Sequence, residues 1–235
     1  MSIHETAAMG SEVTRSWSCV LFDLDGTLTD SAPGITSSLR RMFDAIGRPV
    51  HSEDELMAYV GPPLVSTLRA REDFTEAEAE HALTVYRAFA EESDLTDNAV
   101  FPGIAGLLAS LHADGIPVAT ATSKPTSRAT RILDHFGLSQ YLTFIGGAAD
   151  DDSRAEKAEV IAYTLAELEK LGVDTSRPVM VGDRFYDVEG ATANDVPVIL
   201  VEWGYGSPAE AKGAMAVVHS VDQLRSLLLG QAVAA

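Results

Sequence analysis

Short apolar runs alternate along the chain with segments whose apolar residues recur every three or four positions. Four runs have the length of buried strands, at 19–22, 116–121, 179–181 and 196–201, and a weaker fifth lies at 142–145. Three of the intervening segments have helical spacing and each is followed by a glycine, at 103–114, 125–136 and 158–171. Strands that alternate with helices predict an α/β fold with a mainly parallel sheet.

Residues 33–100 break this alternation, because they show helical spacing without a convincing strand. Thr75 and Glu78 have the spacing of a capping box that begins a helix within this segment. We therefore expect a core domain made of 17–32 and 101–235, with a small helical domain of 33–100 inserted after the first strand. Residues 1–16 lack the apolar stretch of a secretory signal, which predicts a flexible N-terminal tail.

Charge and composition exclude several classes of function. The 235 residues include 35 acidic and 17 basic side chains, a net charge of -18, which disfavours nucleic acids and anionic membranes as partners. Cys19 is the only cysteine, so no disulfide within the chain is expected. No apolar run approaches the ~18 residues of a membrane helix. We expect a cytoplasmic globular protein, and an anionic substrate would need local cations to overcome the repulsion.

Polar residues follow three of the predicted strands, where a parallel sheet binds its ligands. Asp23 and Asp25 follow the first strand, Thr122 the second and Asp183 the run at 179–181. Two aspartates in this spacing point to the same side of an extended backbone, and a divalent cation would relieve their repulsion. The alternative is a pair of exposed turn aspartates that cap a helix. The additional carboxylates of Asp183 and Asp187 favour the cation site.

These residues belong to four motifs that occur in order along the chain. They are FDLDGTLTD at 22–30, Thr122 in ATATSKP, Lys157 in RAEKAEVI, and VGDRFYD at 181–187. The sequence resembles the haloacid dehalogenase superfamily of aspartate-nucleophile phosphotransferases over about residues 18–230. TSKP, GDRFYD, WGYGSPAEA and GPPL are most similar to its phosphoglycolate phosphatase and 5'-nucleotidase branch. The resemblance implies a Rossmann-like core with a helical cap.

The resemblance also implies a role for each acidic residue. Asp23 would attack phosphorus and form an aspartyl-phosphate, and Asp25 would act as general acid and then as general base. Mg²⁺ would bind the Asp23 carboxylate, the Asp25 backbone carbonyl and Asp183. Asp187 is expected to support these ligands without binding the metal itself.

Phosphate binding is assigned in the same way to Thr122, Ser123 and Lys157. For Ser123 the alternative is a helix N-cap, and for Lys157 it is a solvated lysine near a helix start. The sequence leaves the roles of Lys124, Arg184 and Tyr205 open. Lys124 could be solvated beside a helix, Arg184 could reach substrate or pair with an acid, and Tyr205 is expected to be structural.

The leading hypothesis is a Mg²⁺-dependent phosphatase that acts on a small phosphorylated metabolite. Phosphoglycolate, a 5'-nucleotide, a sugar phosphate and a ribosylated metabolite remain open as substrates, as do a monomer and a dimer. The alternatives are a phosphosugar mutase that uses the same aspartyl-phosphate and a non-catalytic phosphate sensor. The sensor ranks low because all of the catalytic residues are present.

Overall fold

A computed structural model describes residues 16–62, 64–93, 95–151 and 153–230, and within these it contains eight strands and nine α-helices. The strands are β1 (Cys19–Phe22), β2 (Thr29–Asp30), β3 (Ala99–Val100), β4 (Val118–Pro125), β5 (Phe144–Ala148), β6 (Pro178–Gly182), β7 (Val198–Val201) and β8 (Ala216–Val218). The helices are α1 (Ala32–Ala45), α2 (Glu53–Met57), α3 (Leu64–Glu72), α4 (Glu76–Ser93), α5 (Ile104–Ala113), α6 (Thr126–His135), α7 (Lys157–Lys170), α8 (Phe185–Thr192) and α9 (Val221–Leu229). The tail predicted at 1–16 lies outside the described residues except for Ser16.

Six strands form one parallel sheet in the order β5-β4-β1-β6-β7-β8. Strand β1 lies in the middle, paired with β4 on one side and with β6 on the other. The chain therefore leaves β1 in one direction and later continues in the other, which creates a switch point at the carboxyl ends of these three strands. This arrangement confirms the predicted α/β fold with a mainly parallel sheet.

Both faces of the sheet are buried, because side chains alternate along each strand. Val20 and Phe22 of β1 pack with α5, α6 and α9, whereas Cys19 and Leu21 pack with α7 and α8. All four residues are fully buried, as expected for a parallel sheet covered by helices on both sides. The packing fixes the strand ends, and hence the residues that follow them, relative to one another.

Helices α1 to α4, here called the cap helices, form a separate hydrophobic cluster above the carboxyl ends of the strands. Their core includes Leu39, Met42 and Phe43 of α1 packed against Ala82 and Tyr86 of α4. The predicted capping box is present, since the Thr75 and Glu78 side chains bond to each other's backbone N–H. The exact domain boundaries, at 32/33 and 100/101, stay predictions.

A small antiparallel ribbon joins the cap helices to the sheet. Strand β2, on the way out, pairs with β3, on the way back, with Thr29 opposite Val100 and Asp30 opposite Ala99. The N–H of Phe101 then donates to the carbonyl of Leu28. The departing and returning segments are therefore held side by side.

Several differences from the sequence pattern concern strands. Strands β2 and β3 were not predicted, and β5, expected at 142–145, runs from Phe144 to Ala148. The second strand was expected at 116–121 but runs from Val118 to Pro125, with a register shift between Thr122 and Pro125, so it includes the polar motif. Strand β8 was not predicted, because only three residues form it and Val217 is partly exposed at the sheet edge. Within the described ranges, no helix has the length and apolar character needed to cross a membrane.

Candidate active site

Asp23 occupies the first position after β1 and is almost completely buried. Its N–H donates to the carbonyl of Val181, and its Oδ1 accepts the N–H of Leu24 at 2.7 Å. Burial raises the pKa of Asp23 to about 6, and the charge of Lys157 limits this rise. A rigid, desolvated carboxylate with one oxygen tied to the backbone has the features of an oriented nucleophile.

Lys157 begins α7 and is buried beside Asp23, so it is not the solvated lysine of the alternative interpretation. Its Nζ lies 2.9 Å from Asp23 Oδ2 and 2.8 Å from Asp187 Oδ1, and it donates to the carbonyl of Ala121 at 3.2 Å. Burial alone would lower the pKa of Lys157, but the two carboxylates outweigh it and hold that pKa above its usual range. Lys157 therefore remains charged and fixes the Asp23 carboxylate.

Asp183 follows β6 and Asp187 lies in the first turn of α8, and both are buried. Asp187 Oδ2 accepts the N–H groups of Asp183 at 3.1 Å and Arg184 at 3.0 Å. Asp183 Oδ2 accepts the N–H of Tyr205 at 2.7 Å. Burial raises the pKa of Asp183 well above its usual range, and the charges of Asp187 and Asp23 add to this.

Among the described residues, carboxylate oxygens of Asp23, Asp183 and Asp187 lie within 4.8 Å of one another. Burial raises the pKa values of Asp23 and Asp183, and the repulsion among these buried carboxylates adds to the rise. Hard oxygen donors in such a group suit a divalent cation such as Mg²⁺. Asp187 already uses Oδ2 for two backbone N–H groups and Oδ1 for Lys157, so Asp23 and Asp183 have more capacity for a metal.

Asp25 turns its side chain away from this group. Its Oδ1 accepts the hydroxyl of Ser31 at 2.5 Å and lies 3.0 Å from Lys124 Nζ. The turn that follows Asp25 requires Gly26, which has φ of +83°, and a Cβ there would lie 2.3 Å from Asp183 Oδ2. Asp25 would thus reach a metal only through its backbone, as the resemblance implies, and that contact stays a prediction.

Thr122, Ser123 and Lys124 lie on the last part of β4, beside Asp23 and Asp25. The Thr122 hydroxyl oxygen accepts the N–H of Lys124 at 3.2 Å, which leaves its proton for another acceptor. The Ser123 hydroxyl is buried and has no hydrogen-bond partner within the described part of the chain. The N-cap of α6 is Pro125, so the N-cap role considered for Ser123 is wrong.

A cavity of about 270 Å³ separates the core from the cap helices. Its core side includes Asp23, Asp25 and the segment 122–125, and its opposite wall includes Tyr59 and Gly61. Lys157 contacts Asp23, and carboxylate oxygens of Asp183 and Asp187 lie within 4.8 Å of an Asp23 carboxylate oxygen. Asp23 and Asp25 thus each combine a carboxylate that lines the cavity with a buried lysine at hydrogen-bonding distance.

Three contacts escaped the sequence interpretation. Lys124 is buried against Asp25 rather than solvated. Arg184 pairs with Glu210, and the Tyr205 hydroxyl bonds to the segment that leads into α1. Lys124 directly follows two proposed phosphate-binding residues, which is the one signal that could have suggested its place; nothing local in the sequence links Arg184 to Glu210.

The parallel sheet, the buried carboxylates at its central strand end and the overlying cap helices define an α/β protein with an acidic site at the switch point of its sheet. A family model described as haloacid dehalogenase-like hydrolase matches residues 20–201. The chain belongs to this family, as predicted.

Relatives in this family have several names. The tyrosine-protein kinase PtkA of Mycobacterium tuberculosis is 45% identical over 213 residues, which cover 89% of this chain and 72% of that protein. A 5'-nucleotidase of Pseudomonas aeruginosa is 35% identical, covering 86% of this chain and 90% of its own length. A phosphoglycolate phosphatase of Cupriavidus necator is 33% identical, covering 92% and 95%.

The crystal structure of a predicted phosphatase from Clostridium acetobutylicum superposes with a TM-score of 0.85 at 40% identity, covering 91% of this chain and 99% of that one. These matches confirm the predicted fold, the resemblance to the phosphoglycolate phosphatase and 5'-nucleotidase branch, and the class of enzyme, a phosphatase of the haloacid dehalogenase type.

Proposed function

We propose that this protein is a Mg²⁺-dependent phosphatase that hydrolyses a small phosphomonoester through an aspartyl-phosphate on Asp23. The observation that carries the proposal is the placement of two carboxylates at one cavity, each held by its own buried lysine. Asp23 is held by Lys157 at 2.9 Å and Asp25 by Lys124 at 3.0 Å. Two carboxylates in separate environments can perform separate tasks, one as nucleophile and the other as acid and base.

In the first step, Asp23 Oδ1 or Oδ2 attacks phosphorus while Asp25 donates a proton to the departing alcohol oxygen. The P–O bond to the alcohol breaks as the bond to the Asp23 oxygen forms. In the second step, Asp25 takes a proton from water, the water oxygen attacks phosphorus, and Asp23 leaves as a carboxylate. The Ser31 hydroxyl and the Lys124 ammonium hold Asp25 in the position that both steps need.

The charge on the phosphoryl oxygens is balanced by donors from three elements. Thr122 and Ser123 of β4 line the cavity and can offer their hydroxyls, and the Lys157 ammonium lies next to Asp23. Mg²⁺ bound by the carboxylates of Asp23 and Asp183 and the carbonyl of Asp25 would supply the remaining positive charge at a phosphoryl oxygen. This local positive charge is what allows a protein of net charge -18 to accept an anionic substrate.

The size of the cavity favours a small metabolite over a polymer as substrate. A volume of about 270 Å³ holds a phosphorylated metabolite, and the cap helices block the extended approach that a nucleic acid would need. Phosphoglycolate, a 5'-nucleotide, a sugar phosphate and a ribosylated metabolite remain the candidates. Cytoplasmic location stays a prediction, and so does the choice between a monomer and a dimer.

A second candidate is transfer of the phosphoryl group from Asp23 to an acceptor hydroxyl in place of water. The 45% identity to a protein named tyrosine-protein kinase favours a tyrosine as that acceptor. A phosphosugar mutase would use a sugar hydroxyl in the same way. Both require that Asp25 activate an organic hydroxyl, which the geometry at Asp25 also permits.

A phosphate-release screen over a broad panel of phosphometabolites, with and without Mg²⁺, tests the proposal. We expect Mg²⁺-dependent release of inorganic phosphate with no acceptor present, and one substrate group should stand out in kcat/KM. Phosphate release only after a peptide tyrosine or a sugar phosphate is added would instead establish phosphotransfer. No phosphate release and no transfer under any of these conditions would contradict both candidates.

A further inference from the structure

Tyr205 connects the core to the segment that leads into the cap helices. Its hydroxyl oxygen accepts the N–H groups of Ser31 at 2.7 Å and Ala32 at 2.9 Å, and its proton is donated to Asp30 Oδ1 at 2.9 Å. Burial, together with the negative charges of Asp25 and Asp30, raises the pKa of Tyr205, so the phenol stays protonated. One phenol thus satisfies two backbone donors at the first turn of α1 and one carboxylate of β2.

Arg184 makes a second connection between core and cap helices. Its Nη1 donates to the carbonyl of Val60, and its Nε donates to Glu210 Oε2 at 2.9 Å. Gly61, the next residue of the cap wall, has φ of +110°, and a Cβ there would lie 3.3 Å from the Arg184 side chain. Because Gly61 lines the cavity, the position of Arg184 determines where that wall lies.

Both connections depend on one core loop, residues 203–211, here called the clasp loop. It carries Tyr205 directly, and it carries Glu210, which holds Arg184 and also accepts the N–H of Phe185 at 3.0 Å. The loop therefore controls the cap helices at two separate points, one on the linker to α1 and one on the wall at Val60.

The clasp loop is itself fixed against the proposed metal ligands. The N–H of Tyr205 donates to Asp183 Oδ2 at 2.7 Å, and the indole N–H of Trp203 donates to the carbonyl of Thr27 at 3.1 Å. A Cβ at Gly204 would lie 2.4 Å from the Asp183 Cβ, and one at Gly206 would lie 2.0 Å from the Asp183 carbonyl oxygen. Only glycine permits so close an approach, so the loop is packed directly against Asp183.

We propose that the clasp loop holds the cap helices closed over the cavity, with Tyr205 and Arg184 as positioning residues, and that it links this closed position to Asp183. The proposal deepens the proposed function and rests on it for its kinetic consequence. Neither residue touches the reacting atoms. Tyr205 and Arg184 increase the fraction of molecules in which the cavity wall is in place, and this raises the affinity for substrate.

The test compares Tyr205→Phe and Arg184→Gln with two matched controls. Tyr141→Phe removes a phenol that precedes β5, at the opposite edge of the sheet, and Arg225→Gln breaks a partly exposed pair with Asp222 on α9. Hydrogen exchange is measured over residues 31–100 with Mg²⁺ present, and kcat and KM are measured with p-nitrophenyl phosphate. Glu210→Gln is included because it loosens Arg184 without altering any residue that touches the cap helices.

Loss of three hydrogen bonds in Tyr205→Phe and of two in Arg184→Gln should raise KM about tenfold, with kcat changed by less than about threefold. Cap amides should exchange about tenfold faster in both variants, with core strands unchanged. Because both residues act on one closure, the double variant should fall short of the product of the single effects. Glu210→Gln should shift both readouts in the same direction, and the controls should match wild type.

The proposal would be overturned if the amides of the cap helices exchanged at the wild-type rate in Tyr205→Phe and Arg184→Gln. A fall in kcat with an unchanged KM would also overturn it. If either variant failed to fold, Glu210→Gln would decide the test. Wild-type amide exchange of the cap helices in Glu210→Gln would also overturn the proposal. Hydrogen exchange does not depend on turnover. If the wild-type protein were inactive, the proposed function would be refuted, and hydrogen exchange would still test the role of the clasp loop.

Discussion

The Lys124 ammonium lies 3.0 Å from Asp25 Oδ1, and both side chains are largely buried at the cavity. Lys157 makes the equivalent contact with Asp23 at 2.9 Å. The two aspartates are separated by one residue, but their lysines come from different elements, β4 and α7. Each carboxylate therefore has a fixed position that does not depend on the other.

Replacing Lys124 should impair catalysis more than folding. In Lys124→Met, Asp25 loses the charge that orients it, and we expect kcat for phosphate release to fall by about 10²-fold, the scale of a misplaced general acid and base. Lys170→Met is the matched control, because Lys170 is exposed and pairs with Glu167 of the same helix, α7. A Lys124→Met enzyme with wild-type kcat would show that Asp25 needs no such partner.

Removing the Ser123 hydroxyl should weaken phosphate binding and little else. The hydroxyl is buried without a partner in the described ranges, so Ser123→Ala loses no bond within the folded protein. We expect a roughly tenfold higher inhibition constant for inorganic phosphate and a melting temperature within about 2 °C of wild type. Ser110→Ala, on α5, is a control for a serine whose hydroxyl bonds only to its own helix. Unchanged phosphate inhibition would remove Ser123 from the binding site.

The metal-free protein should lose stability as the pH rises from about 5 to 7. Asp23 has a pKa of about 6 when folded and 3.8 as its ordinary value, so the folded state binds more protons in this window. Carboxylates with lowered pKa values, such as Glu78, titrate mainly at lower pH. Stability conferred by the protonated Asp23 is therefore present at low pH and lost as the pH passes through the folded pKa.

Thermal unfolding of the metal-free protein at several pH values measures this loss. Mg²⁺ should raise the melting temperature more near pH 7 than near pH 5, because it replaces the proton at the carboxylates. Asp23→Asn removes one titrating group, so its stability should fall less across the same window. The assignment would be contradicted if the metal-free wild-type protein became more stable from about pH 5 to 7 and the stability of Asp23→Asn showed the same pH dependence.

Asp187 is expected to be essential for stability. Asp187→Ala would leave Lys157 with one carboxylate partner and the N–H groups of Asp183 and Arg184 without their acceptor. Breaking a buried pair of this kind costs about 3–5 kcal/mol in the free energy of unfolding, measurable by urea denaturation. Glu167→Gln, which breaks an exposed pair with Lys170, should cost far less. Equal costs for the two variants would refute this role for Asp187.

Much of the fold follows from local patterns, because buried parallel strands and amphipathic helices leave a clear signal. Strand β1 lies at the expected 19–22, and the predicted helix at 103–114 is α5, Ile104–Ala113. Strand β8 and the β2–β3 ribbon were missed, since two or three residues form each strand and long-range pairing stabilises them. Their formation depends on neighbours distant in sequence, which a local pattern does not contain.

The candidate site was predictable only in part, for a similar reason. Asp23, Thr122 and Asp183 follow from their positions at strand ends, which a parallel sheet brings together. The pairing of Lys124 with Asp25 depends on a register shift near the end of β4, and the contact of Tyr205 with Ala32 spans 173 residues. Sequence spacing predicts which residue types meet at the site, whereas side-chain packing determines which of them touch.

The role of Asp23 as nucleophile is the central claim, and phosphate release by Asp23→Asn tests it most directly. The amide has nearly the same shape but cannot form the aspartyl-phosphate, so we expect release from p-nitrophenyl phosphate with Mg²⁺ to fall by about 10⁴-fold or more. Circular dichroism should show a folded protein, because the amide retains an acceptor for the Leu24 N–H. Turnover within about tenfold of wild type by a folded Asp23→Asn protein would contradict the mechanism.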